Sequence, residues 1–260
     1  GSITECVVGL HIIVSPTRHV WLERSSYPVV SDSFVAKLDA ERINDDELFN
    51  AALVSFGSFG FIHGVMIETE PLFLYECHRV QLPFNDALLP MMQHLDFTNS
   101  PLPHGSERPW HFQIVLNPYD LSGGVMVTCM YKRPYRADYT PPPGDDVPTF
   151  IGGLVGIATG LIPATVNTLV GATYKPYADV WGTHAEIFSN TDTHGKVLSS
   201  AIGINPMDVD RVTQILLSMN VSEQFSGIFS YRWVKGTQAT LGFTQFDTTC
   251  IVELDGEYSK

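Results

Sequence analysis

Apolar positions fall along the chain in blocks whose period changes from two to about 3.6 and back. Residues 6–14, Cys-Val-Val-Gly-Leu-His-Ile-Ile-Val, form a continuous apolar, β-branched run that predicts a buried strand. Ser15-Pro16-Thr17 is a turn, and residues 19–24 predict a second strand pairing with the first. A helical period follows: Asn44 can cap, Glu47 sits at the capping-box position, and Leu48, Ala52 and Phe56 recur on one face. Gly57 is expected to end that helix, and residues 61–69 predict a strand after Gly60.

Beyond Pro71 the pattern predicts a strand over 72–82 and a short helix over 86–95 capped by Asn85. Two strands, 111–116 and 124–132, are expected on either side of the turn Asn117-Pro118-Tyr119-Asp120. Residues 139–148 are a proline-rich loop on an extended path. Asn205 then caps a helix with Pro206 at its first position and Val209, Val212, Leu216 and Met219 as its buried stripe. Residues 231–246 and 249–254 close the chain as strands. No internal repeat is visible. The fold class is α+β, with mostly antiparallel pairing in the second half.

The most informative stretch is the glycine turn Gly57-Ser58-Phe59-Gly60-Phe61-Ile62. A helix that ends at Gly57 and reverses through Gly60 lets the backbone approach a bound group without interference from a Cβ atom. The following strand can then offer the N–H and C=O groups of Phe61 or Ile62 to the edge of a planar heterocycle. As a bare spacing, G-x-x-G is equally a helix C-cap and tight turn.

In its setting the turn resembles the FAD-linked oxidases of the vanillyl-alcohol oxidase superfamily, in particular the sugar-lactone and alditol oxidase branch. Gly1-Ser2-Ile3 before the strand at 6–14 looks like the family's Gly-x-Leu step, and Gly57 to Ile62 looks like its G-x-x-G-Val/Ile turn. Tyr231-Arg232-Trp233-Val234 is similar to the family's Arg-x-Val step, which leads into a strand facing the flavin. The resemblance implies FAD as cofactor, contacted by Gly1, Ser2, Ile3, Gly57, Ser58, Gly60, Phe61 and Ile62. It implies Arg232 as a residue of the chemistry. It also implies the end of an FAD-binding domain over residues 1–75, followed by a substrate-capping domain over 76–260 that returns to the first near its end. The family's phosphate-cradling loop and its Thr-Gly-Thr-His-Gly-Ser type segment have no counterpart, so an interior piece that binds FAD poorly by itself is expected. Gly60→Val is expected to impair FAD retention more than folding stability. Ser230 stands where the family often has an acidic residue, a departure that bears on sugar-alcohol specificity.

Composition narrows the alternatives. A net charge of −13 argues against a general nucleic-acid binder, which needs a basic footprint, and says nothing positive about a partner; the small-molecule substrate is what the family resemblance implies. Cys6, Cys77, Cys129 and Cys250 lie far apart without a C-x-x-C pair and read as reduced core thiols, which favours a reducing, cytoplasmic-type compartment. Residues 149–173 carry no charge and are long enough for a bilayer span. Pro163 and five glycines disfavour a spanning helix and leave a buried hairpin, a helix pair or an interfacial patch. No zinc-type cluster, nucleophile elbow or Walker loop is present.

An alcohol oxidised by hydride loss needs a base for its hydroxyl proton, and His111 and His184 are candidates by pKa. Ordinary strand histidines are the alternative for both. His111 joins Arg232 as a candidate catalytic residue. The expected function is oxidation of an alcohol-type carbon by hydride transfer to FAD. A binding domain without activity and a protein anchored to a membrane surface through 149–173 are the competing readings.

Overall fold

The computed structural model describes residues 3–141, 162–188 and 197–257. The chain divides into two units, Gly1–Pro71 with Val234–Thr248 and Leu72–Trp233 with Thr249–Lys260.

The first unit is built on a four-stranded sheet of β1 (Val7–Ser15), β2 (Arg18–Glu23), β3 (Glu41–Asn44) and β4 (Phe61–Ile67), in the order β3-β2-β1-β4. β1 runs antiparallel to β2 and β4, whereas β2 and β3 are parallel. A parallel pair needs a crossover. Here it carries α1 (Asp32–Lys37), whose cap Ser31 accepts from the Phe34 N–H. Leu10, Ile12, Val20 and Leu22 on one face of the sheet pack against Phe49 and Ala52 of α2 (Asp46–Leu53). Each such large side chain contributes about 1.5–3 kcal/mol on burial. The opposite face carries Trp21, which packs edge-on against Phe34 at 5.2 Å and over Gly9, where a Cβ would stand 2.3 Å from the indole.

Three local expectations are corrected here. The cap of α2 is Asp45, accepting from the Leu48 N–H at 2.9 Å, because Asn44 is occupied as the last residue of β3. The helix ends at Leu53, not at Gly57, and the chain then turns through Phe56 (φ 49°) and Gly57 (φ 80°). Residues 236–246, expected as a strand, are instead a looped segment of the first unit. Gly242 N–H closes a turn on the Ala239 carbonyl, and Thr240 N–H donates to the Asn50 carbonyl at 3.0 Å. Gly236 and Gly242 punctuate this stretch too closely for a continuous ladder.

The second unit is a seven-stranded sheet in the order β8-β5-β7-β6-β10-β11-β9. Its strands are β5 (Phe73–Leu82), β6 (His111–Leu116), β7 (Val125–Pro134), β8 (Tyr177–Gly182), β9 (Val197–Ile204), β10 (Gly227–Lys235) and β11 (Thr248–Glu257). The ladders β5–β7, β5–β8, β6–β7, β6–β10 and β9–β11 are antiparallel. Because side chains alternate along a strand, Cys129, Tyr131, Ile114, Tyr231 and Val252 share one face. They pack on Met91 and Met92 of α3 (Leu89–His94) and Val209 of α6 (Val209–Ser222). On the other face Val115 and Ile228 pack against Val166 and Val170 of α4 (Ile162–Thr173).

Asn205 caps the turn at Pro206–Asp208 that leads into α6. Met219 is 56% exposed and leaves the predicted stripe, which runs through Val209, Val212 and Leu216 with Thr213 and Asn220 beside them. Thr213 can sit there because its hydroxyl is bonded to the Val209 carbonyl at 2.7 Å and the Tyr231 hydroxyl at 2.9 Å. Cys77, Cys129 and Cys250 are buried thiols, and burial pushes the first and last up to about 12 and Cys129 to about 11. Cys6 is exposed and does not belong to the core. Of the charge-free stretch 149–173, residues 149–161 lie outside the described residues. Among the described residues no helix is long and apolar enough to cross a membrane.

Candidate functional site

The glycine turn lies in the first unit, between α2 and β4. Gly60 has φ 120°, and a Cβ there would meet the Ile13 carbonyl oxygen at 2.6 Å. Its lack of a side chain therefore serves close packing against β1. Gly57 has φ 80° with nothing within 4 Å of a Cβ, so that side of the turn is open. Phe56, Phe61 and Ile62 present their side chains to solvent, at 89%, 67% and 41% exposure. Among the described residues β4 has one ladder neighbour, β1, which leaves the N–H and C=O groups of its outer edge available. An apolar edge of this kind is a liability unless something covers it. The turn thus combines an open glycine, exposed apolar side chains and backbone donors. Ser58 stands inside it, its N–H held by the Ser55 carbonyl at 2.9 Å. Ile3 opens a 3-10 turn and is exposed, while Gly1 and Ser2 lie outside the described residues.

The two candidate catalytic residues come together on the second unit's sheet. Arg232 of β10 faces Gln113 of β6 across the ladder, and His111 is two positions along on the same face. Gln113 Nε2 donates to Ser230 Oγ at 3.0 Å, and Arg232 is ion-paired with Glu253 of β11. Beside them is an aromatic group. Phe188 stands 6.2 Å from the His111 ring and 4.7 Å from the His184 ring, and the Tyr75 hydroxyl reaches His184 Nδ1 at 3.4 Å. The face therefore offers an imidazole, an amide, a hydroxyl and a guanidinium–carboxylate pair next to flat apolar rings. That set can hold a hydroxyl-bearing molecule by hydrogen bonds and stack its hydrocarbon part.

Burial, and after it the positive charge of Arg232, pushes His111 down from 6.5 to about 4. The imidazole is neutral at pH 7 and ready to accept a proton. A linkage effect follows. Between the two pKa values the unfolded chain binds a proton that the folded chain does not, so stability falls as pH drops from about 6.5 towards 4. The full swing is about 3 kcal/mol. His111→Phe should flatten that part of the pH dependence, read as the change in urea midpoint between neutral and mildly acidic buffer. Parallel curves for parent and variant would show that His111 titrates normally. His11, also pushed down by burial and by His63 and His19, adds a contribution of the same sign that the variant leaves in place.

His184 and Glu186 occupy a capping box in α5 (His184–Ile187). The Glu186 carboxylate takes the Thr183 N–H at 2.7 Å, the Thr183 hydroxyl at 2.8 Å and the Tyr139 hydroxyl at 2.8 Å. Three bonds of this kind make Glu186 structural and fix the position of His184. Two clusters were missed from the sequence. His11 Nδ1 lies 3.1 Å from His63 Nδ1, and Glu76 gathers His78, His104 and Arg133. The Glu-x-His spacing at 76–78, which places both side chains on one face of a strand, was the available signal for the second.

No family model and no curated protein matches the chain. Among solved structures, a BBE-like 1 variant from Physcomitrella patens aligns at a TM-score of 0.47 and 12% identity over 99% of this chain and 51% of its own. A carbohydrate oxidase from Microdochium nivale aligns at 0.49 and 10% identity, over 98% and 50%. The cholesterol oxidase from B. sterolicum aligns at 0.62 and 13% identity, over 98% of this chain and 52% of that one. The chain thus spans about half the length of the structures it matches, and what it shares with the cholesterol oxidase is the fold, a mixed α+β architecture with a large antiparallel sheet.

Proposed function

We propose that the chain works in a flavin-dependent oxidoreductase of the vanillyl-alcohol oxidase type, oxidising an alcohol-type carbon of a sugar, lactone or hydroxylated metabolite. Bound FAD would supply the hydride acceptor. The single observation that carries this reading is the joint placement of His111 and Arg232 on one sheet face, beside aromatic rings, in a fold shared with an oxidase of a hydroxyl-bearing sterol. Residues 1–75 are assigned to FAD binding and 76–260 to a substrate cap. The turn residues Gly57, Ser58, Gly60, Phe61 and Ile62, together with Gly1, Ser2 and Ile3, would hold the cofactor.

Neutral His111 takes the substrate hydroxyl proton. A weak base suffices, because a hydroxyl becomes strongly acidic as its carbon loses hydride. Gln113 and Ser230 orient the hydroxyl group. Arg232, ion-paired with Glu253, would stabilise negative charge that grows during the reaction. Its benefit is then larger in the transition state than in the ground state.

The test uses the holoprotein as isolated, with single-turnover flavin reduction measured at saturating substrate. Arg232→Lys keeps the charge but loses the planar fork, and is expected to slow reduction on the order of tenfold or more, roughly 1.4 kcal/mol. Arg232→Ala is expected to slow it further with the flavin spectrum nearly unchanged. Parental rates in both variants would make Arg232 only the partner of Glu253, and a full-length protein that carries no flavin would remove the flavin reading altogether.

A further inference from the structure

On the face of the seven-stranded sheet opposite His111 and Arg232, two imidazoles and a carboxylate converge. Glu76 and His78 alternate on β5, so both side chains leave the same face. Their cross-strand partners Tyr131 and Cys129 belong to the buried core on that side. His104, from the loop ahead of β6, closes over them. Its Nε2 stands 2.6 Å from Glu76 Oε1, and His78 Nε2 stands 3.1 Å from the same oxygen. The three ligating atoms lie within 4.8 Å of one another.

We propose that Glu76, His78 and His104 bind a borderline divalent transition metal, Zn2+ foremost, with Asp179 as fourth ligand. Four-coordinate zinc holds nitrogen at about 2.0–2.1 Å and oxygen at about 2.0–2.2 Å, which places neighbouring ligand atoms roughly 3.3 Å apart. The His78–Glu76 separation of 3.1 Å is already close to that, and the His104–Glu76 contact has to open from 2.6 Å to roughly 3.3 Å. Asp179 is the natural fourth ligand. Its Oδ1 is 3.9 Å from His78 Nε2, its side chain is exposed, and its backbone is left-handed at φ 55°. A non-glycine residue in that region carries local strain of the kind that gathers at ligand sites.

Charge favours a cation. Arg133 Nε donates to Glu76 Oε2 at 2.7 Å, and the same guanidinium grips Glu107 at 2.5 and 3.0 Å. Counting Asp179, the group holds three carboxylates against the single Arg133 guanidinium, a deficit that a dication balances. Arg133 also acts as an outer partner, holding one carboxylate oxygen so that the other points at the imidazoles. The Tyr131 ring, 4.5 Å from the His104 ring at 90°, walls the site on the core side. His104 itself is one-third exposed, which supplies the entry path.

Ligation through Nε2 requires the ring proton on Nδ1, so the long 3.4 Å contact from the Asp179 N–H to His78 Nδ1 has to open. Mixed imidazole and carboxylate ligands suit zinc, cobalt and nickel, whereas magnesium and calcium prefer an all-oxygen shell.

The test uses the full chain, stripped with chelator and dialysed against Zn2+ or Co2+. One equivalent of zinc per chain, a raised melting temperature and visible d–d absorption with cobalt are expected. Because Glu76 and His78 are buried, the informative variants are His104→Ala and Asp179→Asn, each confirmed as folded by circular dichroism. His104→Ala should lower zinc affinity by more than the roughly 10–100-fold lost when only an outer partner is removed, and Asp179→Asn by about tenfold. A folded parent that retains no zinc after dialysis overturns the proposal. So does a His104→Ala variant with parental affinity, since the metal would then sit elsewhere.

Discussion

Gly60→Val is expected to destabilise the first unit by about 3–5 kcal/mol, the sum of a strained backbone and an overpacked contact. The residue stands at φ 120°, where a β-branched side chain is poorly tolerated, and any Cβ meets the Ile13 carbonyl oxygen at 2.6 Å. Neither atom can move cheaply, because Ile13 pairs with Phe61 in the ladder that closes the sheet. The turn motif alone suggested that this change would act mainly on FAD retention. The geometry adds a large stability cost at Gly60 and makes Gly57 the cleaner position for the binding test. There φ is 80° with open space around the Cβ position, so Gly57→Ala should cost only about 1 kcal/mol. Urea unfolding of both variants checks this. A midpoint for Gly60→Val equal to that of Gly57→Ala would show that the backbone relaxes around the clash.

Glu23→Ala is expected to cost about 3–5 kcal/mol, as removal of one partner from a buried ion pair does. Glu23 is fully buried at the end of β2. Its Oε2 takes the Val29 N–H at 2.9 Å, and its Oε1 takes the Arg42 guanidinium, with Nη2 at 2.9 Å and Nε at 3.1 Å. These bonds tie the start of the crossover and β3 to β2, so the loss strands both a backbone donor and a half-buried cation. Arg42 also pairs with Asp32 at 2.5 Å, joining α1 to the same network. Glu23→Gln keeps the shape and an acceptor for Val29 and should lose less. Thermal melts of the two variants separate these outcomes. A loss in the alanine variant below about 1 kcal/mol would place Glu23 with ordinary surface pairs.

Strands β1, β2, β5, β6 and β7 were legible because each is a run of apolar or alternating residues bounded by turn residues, and both signals are local. Asn85 and Asn205 were read correctly as caps for the same reason, each accepting a backbone N–H two residues on. What local pattern missed has a common cause. β3 is four residues long and half-exposed, β8 is only partly buried, and neither shows a clean period, so their pairing is set by partners distant in sequence. The sequence pattern makes Asn44 the cap of α2 because nothing local reveals that β3 has already claimed it.

The same division runs through the candidate sites. Sequence by itself determined the periodic elements, the α+β class, the position of the glycine turn and the residue types able to do proton and charge chemistry. It could not place His111 beside Arg232, pair Arg232 with Glu253, or bring His104 onto Glu76 from 28 residues away. Those neighbours are chosen by strand order and register, which depend on how whole faces bury against helices. A shift of one residue in any ladder would send each of these side chains to the other side of its sheet. Tertiary structure alone also decided what Gly60 is for, because the atom that forbids a side chain there belongs to β1, 47 residues earlier.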